Sequence, residues 1–279
     1  MQNKYLCTKL FIKAVNYLNY KNINNNVRIL KEEDYFEAYI EFINNSIHYS
    51  RFSYSTKGKV IKGKYLNEKV NKWRKAGIFE KMYEYKILDY KNNNIHNKHF
   101  HIDGHIVTNR YGIENTGRCV YYKSKNGYNL QAITDDSGIT FGLSAYGAND
   151  NESKLLIPTF NKSYVDDANK YINSKKYVRY FTADAGYDNI DNDNFLSSKG
   201  YIPLIWRNKR NSSEEIFKKK KMNKNQSNHY KKRHIIENSY SWLETKIPRL
   251  SKIYDKFVGN YINMVYMAII DMIICRECA

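Results

Sequence analysis

Phe100-His101-Ile102-Asp103-Gly104-His105-Ile106-Val107 is where the chain changes its period. Upstream, apolar residues recur at helical spacing; here they alternate, and a strand is expected. An acid stands in the middle of it. A lone Asp inside a strand needs a partner, so Asp103 is a candidate functional residue as well as a fold marker.

Working outward, Arg118 to Tyr122, Tyr128 to Thr134 and Ile139 to Tyr146 read as further short strands. Asp135-Asp136-Ser137-Gly138 forms a hairpin turn between the last two. Short helices are expected at Glu152–Phe160 and Asp166–Lys175. Tyr177 to Thr182 is an apolar strand running into Asp184. Asn189 to Lys199 is a helix and Tyr201 to Trp206 a final strand. A basic stretch from Arg207 to Lys232 leads into a helix bearing Glu237, and a last helix is expected from Lys256 to Cys275. Strands first, then strands alternating with helices, give an α/β class: a mixed sheet flanked by helices.

Before the strand, residues 1–90 read as helical. Tyr35, Phe36, Tyr39, Ile40 and Ile43 make one stripe. Ser50 to Lys64 reads as a basic loop. Leu66 to Ile87 carries a second stripe that Gly77 divides into two helices. Lys69, Lys72, Arg74 and Lys75 fit either a DNA-facing helix-turn-helix or a plain helical hairpin with a solvated basic face. The polar, Asn-rich residues 88–99 mark a boundary. The expected domains are therefore 1–90, helical and a DNA-binding candidate, and 91–279, catalytic.

Lys and Arg number 46 against 28 Asp and Glu, a net charge of +18. Folding does not need such a surplus, and it suits a partner dense in negative charge, nucleic acid first. An anionic membrane surface fits less well, because the basic residues run along the whole chain. The segment from Met264 to Ile274 is interrupted by Asp271 and reads as a core helix rather than a membrane span. Met1 to Lys13 lacks a long apolar centre, so secretion is not expected. The four cysteines are scattered, which fits a reducing compartment. Cys275-Arg-Glu-Cys278 has zinc-ligand spacing without a second pair, and a frayed helix end explains it better. His96, His99 and His101 lack a completing Cys or carboxylate and are expected to face solvent or phosphate.

Three acids on separate elements remain: Asp103 in a strand, Asp184 at a strand's carboxyl end, and Glu237 on a helix able to cross the sheet. Hard oxygen donors of this kind can hold two Mg²⁺ ions for in-line phosphoryl transfer. Tyr230, Arg233 and Glu237 are spaced by three and four, which puts them on one helical face. There Arg233 can meet a phosphate with its planar fork, and Tyr230 can donate to the same group. Each acid also has a structural reading: Asp184 as a turn starter, Asp188 as a helix cap, Glu237 as an ion-pair partner of Arg233. Asp135, Asp136, Asp166 and Asp167 read as turn or cap residues.

Together these segments resemble a known family. Tyr230-x2-Arg233-x3-Glu237 is similar to the carboxyl-terminal signature of bacterial insertion-sequence transposases with an Asp-Asp-Glu triad. Asp103-Gly104-His105 and Ala183-Asp184-Ala185-Gly186-Tyr187-Asp188 resemble their first and second acid motifs. Lys125-x-Gly127-Tyr128-x2-Gln131-Ala132 and Gly147-Ala148-Asn149-Asp150-x2-Ser153 are similar to the stretches between those acids. Trp73 to Phe79 resembles their amino-terminal helical region. The resemblance implies a ribonuclease-H-like catalytic domain with Asp103, Asp184 and Glu237 as catalytic residues and ligands of two Mg²⁺, which Mn²⁺ can replace. It implies DNA strand cleavage and transfer at element ends, with Tyr230, Arg233 and Lys246 contacting DNA. It further implies duplex DNA as partner, a homodimer assembled on DNA, and an intracellular place on genomic DNA. The signature continues with Lys seven residues after the glutamate; here that position is Glu244, and Lys246 is the nearest lysine. That departure keeps a second reading open, a DNA-binding derivative without catalysis. A divergent nuclease on the same fold is a third.

Overall fold

The structure, a computed structural model, describes residues 3–20, 30–45, 47–93, 99–109, 111–119, 125–171, 178–207, 222–251 and 255–277. The chain forms two compact units. One comprises Met1–Asn93, Tyr111–Glu114 and Trp242–Ala279; the other comprises Asn94–Arg110 and Asn115–Ser241.

In the first unit, α1 (Lys4–Tyr17), α2 (Glu32–Asn44), α3 (Gly63–Lys75) and α4 (Ile78–Asn93) bury aromatic stripes against one another. The Phe11 ring stacks on Phe36 at 4.1 Å and meets Trp73 edge-on, and Trp73 is fully buried. Its indole N–H donates to Glu32 at 2.8 Å, and Lys69 pairs with the same carboxylate. Lys69 is buried and Arg74 lies over the Phe257 ring. Two of the four basic residues that fit either a DNA face or a solvated one are therefore occupied by interactions within the fold. Gly77, at φ +73, makes the turn between α3 and α4.

The segment expected to be a basic loop is a hairpin, β1 (Ser53–Thr56) paired with β2 (Lys59–Lys62). Lys57 and Gly58 both take positive φ, the twist that a two-residue hairpin turn requires.

The second unit is built on a six-stranded mixed sheet. Its strands are β3 (Phe100–Thr108), β4 (Gly117–Cys119), β5 (Lys125–Asp135), β6 (Thr140–Gly147), β7 (Tyr180–Ala183) and β8 (Ile202–Ile205). β3 is antiparallel to β5 along its length and parallel to β7, and β7 is parallel to β8. β4 and β6 pair β5 on the side away from β3. The resulting order, β6-β5-β3-β7-β8, is the ribonuclease-H-like arrangement: a three-strand meander joined through its first strand to a parallel pair. Phe100, Phe141, Phe160, Phe181 and Tyr201 fill the core beneath it. α5 (Leu156–Asn161) packs on β5 and β6, and α6 (Ile190–Ser198) on β8. Asn189, rather than Asp188, caps α6; Asp188 pairs with Arg207.

The expected single helix through Tyr230 and Glu237 is two helices, α7 (Lys224–Lys231) and α8 (His234–Lys246). Between them, Lys232 and Arg233 turn on i→i+3 bonds, Ile235 to Lys232 and Ile236 to Arg233. This tighter winding preserves the side-chain spacing. The boundary between the compact units falls within α8, and the last helix, α9 (Val258–Glu277), belongs to the first unit. Its length and hydropathy would allow a membrane span, but 78% of its most apolar window is buried in protein. It is a core helix, apolar on nearly every side, and it packs with α4, α3 and α1. The compact units thus divide the chain differently from a cut at residue 90.

Candidate active site

The parallel contact between β3 and β7 is short. Phe100 partners Phe181, His101 partners Thr182, and the pairing then stops. Asp103 and Asp184 each lie two residues beyond that last pair, so the register brings both acids to the same level where the strands part. Such openings at the carboxyl ends of parallel strands are where α/β sheets form sites.

Asp103 accepts from the Gly104 backbone N–H at 3.0 Å and from Arg233 Nη1 at 2.8 Å. Asp184 accepts from Gly186 N–H at 2.7 Å and caps the short 3₁₀ turn Ala185–Tyr187. α8 is anchored over β3 from above. The Tyr240 hydroxyl lies within hydrogen-bond distance of the carbonyls of Asp103 and Leu130, at 3.0 and 2.9 Å, and shares its one proton between them. Its ring stacks on His105, and Ser239 donates to the Gly138 carbonyl. These contacts carry Glu237 to the site, where Arg233 Nη2 reaches its carboxylate at 3.2 Å. Arg233 therefore ties a strand acid to a helix acid. Tyr230 also bonds the guanidinium, and its ring sits 5.6 Å from exposed Trp206.

A fourth acid joins them. Glu152 begins a 3₁₀ turn, Glu152–Lys154, shortly after β6. Asn192, buried, donates to the carbonyls of both Ser153 and Tyr187 and so clasps this turn to the one capped by Asp184. Burial drives the Glu152 carboxyl up to about 7, with Asp184 and Asp103 adding repulsion. Asp103 is raised to about 6 for the same leading reason: Arg233 opposes the rise, while Asp184 and Glu237 reinforce it. The acids of this site thus feel one another through a half-buried, poorly screened space.

Residues 96–272 match the transposase DDE domain family. The chain belongs to that family. No curated protein matches it. Among solved structures it is similar to the piggyBac transposase in a cryo-EM synaptic complex with hairpin DNA, at 11% identity, over 99% of this chain and 76% of that one, with a TM-score of 0.49. As a DDE transposase domain it is, by class, a polynucleotidyl transferase of DNA transposition.

Of the residues assigned to the transposase site from sequence, Asp103, Asp184, Glu237, Tyr230 and Arg233 converge in the second unit. Lys246 belongs to the first unit, where its ammonium lies over the Trp242 ring at 5.1 Å. His101 is buried rather than solvated, held between Thr182 at 2.6 Å and Asp136 at 3.0 Å. Asp135 binds the Ser137 and Ile139 N–H groups as a turn residue. His96 and Cys278 lie outside the described residues.

Among the described residues, no group of three or more His, Cys, Asp or Glu is arranged as a metal cage. The donor chemistry nevertheless fits a hard divalent cation. Arg233 pairs with Asp103 and Glu237, and Asp184 and Glu152 are near enough to Asp103 to repel it or be repelled; Asp103 and Glu152 are both pushed up by burial and that repulsion. A cation is the charge that would relieve this.

Proposed function

We propose that this transposase cuts DNA at the ends of an insertion element and joins the freed ends to a target. Asp103, Asp184 and Glu237 are the metal-binding acids, for two Mg²⁺ or Mn²⁺ ions. When bound, the ions activate the nucleophile and stabilise the leaving oxygen. In the first step a water oxygen attacks phosphorus and the bond to the 3′ oxygen breaks, leaving a 3′-hydroxyl. In the second, that hydroxyl attacks a target phosphodiester and displaces its 3′ oxygen. Arg233 and Tyr230 hold the scissile phosphate, the guanidinium through its paired N–H groups. Arg233, bonded to Asp103 and Glu237 in the free protein, would turn its guanidinium to the phosphate once those acids were engaged by metal. Lys246 contacts flanking DNA. The protein works as a homodimer on duplex DNA inside the cell.

One observation carries the reading. Arg233 links Asp103 on β3 to Glu237 on α8, at the place where β3 parts from β7 beside Asp184. Nothing in the packing of the sheet calls for acids from three elements there.

The test is a nicking and joining assay on DNA spanning the borders of the gene's own element, with Mg²⁺ or Mn²⁺. Asp103→Asn, Asp184→Asn and Glu237→Gln are each expected to abolish both reactions while DNA affinity changes less than about twofold. Cutting that survives any one of them removes that residue from the site. Glu244, standing where the signature has Lys, favours a second reading in which the chain binds element ends without processing them. Binding without nicking under either metal selects it.

A further inference from the structure

Glu152 is poorly explained as a structural residue. Tyr187 donates to the Gln131 side-chain oxygen, Gln131 donates to Asn129 at 2.8 Å, and the Asn129 amide donates to Glu152. This chain of neutral donors is buried: Gln131, Asn129 and Tyr187 are almost wholly inaccessible. Its last acceptor need not be charged. A glutamine at 152 would receive the Asn129 bond through its amide oxygen without repelling Asp103 and Asp184. A carboxylate held there costs stability unless a cation offsets it.

The backbone makes room for that carboxylate at both acid motifs. A methyl group added at Gly104 would lie 2.7 Å from Glu152 Oε1, and one at Gly186 would lie 2.4 Å from Oε2. At Gly104 the added carbon would also press on Gln131 and Asn129, the two amides that lead to the glutamate, at 2.5 and 2.6 Å; at Gly186 the Glu152 oxygen is the nearest atom. Gly104 adjoins Asp103, and Gly186 follows Asp184 by two. The two oxygens are thus seated one against each aspartate-bearing segment, and the Asn192 clasp fixes the backbone beneath them.

We propose that Glu152 is a fourth carboxylate of the divalent-cation site, donating oxygen alongside Asp103 and Asp184. This rests on the reading of those aspartates as metal ligands. The relay from Tyr187 through Gln131 and Asn129 is the device that aims the carboxylate.

The test uses the full chain and Mn²⁺ alone, with bound ion counted by the loss of the free-ion electron paramagnetic resonance signal. Glu152→Gln is expected to weaken Mn²⁺ binding at least about tenfold, the scale on which groups shaping a metal site act. It is also expected to melt higher than the parent in chelator, because a repulsion is gone, and to gain less from added Mn²⁺. A structural role alone would move neither the affinity nor that difference. Parent-like Mn²⁺ affinity in Glu152→Gln, with binding lost in Asp103→Asn and Asp184→Asn, overturns the role of Glu152 and leaves the aspartates in place. Parent-like affinity in the two Asn variants overturns the underlying reading instead. Unmutated protein gives an independent check. Fe²⁺ in the site, with ascorbate and peroxide, cuts nearby backbone through hydroxyl radicals. Cuts are expected around residues 103, 152 and 184; cuts at 103 and 184 without 152 reject the proposal.

Discussion

Asp271 lies on α9, fully inaccessible, and neither carboxylate oxygen has a hydrogen-bond partner among the described residues. Burial and the Asp271 charge together push the Cys7 thiol up to about 12, so both groups sit in a dry, apolar part of the first unit. An unpaired polar group there costs roughly 1–3 kcal/mol. Asp271→Leu is therefore expected to stabilise the chain by about that amount in urea denaturation; a loss of stability would mean that the carboxylate has a role the packing does not reveal. The sequence exposed this acid, since it interrupts an apolar run, as it exposed Asp103. It did not expose Glu152, which sits in the polar run Asn149-Asp150-Asn151-Glu152 and looks like any cap. Only the glycines beside the two aspartates hint at a carboxylate needing space, and a glycine does not say what fills the space it leaves.

Among the elements, β3 is the most legible, because Phe100, Ile102 and Ile106 fall at even spacing between polar residues. Harder to read were the short hairpin at Ser53–Lys62, whose turn is Lys-Gly rather than Asn-Gly or Asp-Gly, and the break between α7 and α8, which no Pro or Gly marks. The beginning of β3 is tied to β7 through a histidine. Tyr180 N–H donates to His99 Nδ1 at 3.0 Å, and the ring packs against Tyr180 and His229. Burial, with His229 and Lys232 nearby, lowers His99 to about 4, despite the opposing charge of Asp136. In the unfolded chain a histidine titrates near 6.5. Between those values the unfolded state binds the extra proton, so stability falls as pH drops from about 6.5 toward 4. Protonation also destroys the acceptor for Tyr180. His99→Gln is expected to flatten the fall in melting temperature between pH 7 and pH 5, relative to the parent. Parallel melting curves for the two proteins across that range would show that His99 does not titrate there.

At the scale of the whole molecule, a net charge of +18 is the property that sequence displays most directly and a static structure least explains. Several basic side chains are spent inside the fold: Lys69 on Glu32, Arg207 on Asp188 and Asp193, and Arg249 on Asp255. These three cations meet four acids, so internal pairing does nothing to reduce the surplus. It has to be met by counterions or by a polyanion. A duplex bound through many phosphates releases its condensed counterions, and a protein making six to ten such contacts loses about 10³–10⁵ in affinity between 50 and 200 mM salt. A fall of at least about 10³-fold over that range is expected for a 30-bp duplex, measured by fluorescence anisotropy without divalent metal. Because the metal is omitted, the measurement is blind to cleavage and treats an active and a catalytically silent transposase alike. Asp103→Asn should give the same slope as the parent, since under the proposed function this acid serves the reacting phosphate and the flanking backbone is held by other residues. A flat dependence would remove nucleic acid as the reason for the charge, and with it the physical basis for placing this chain on DNA.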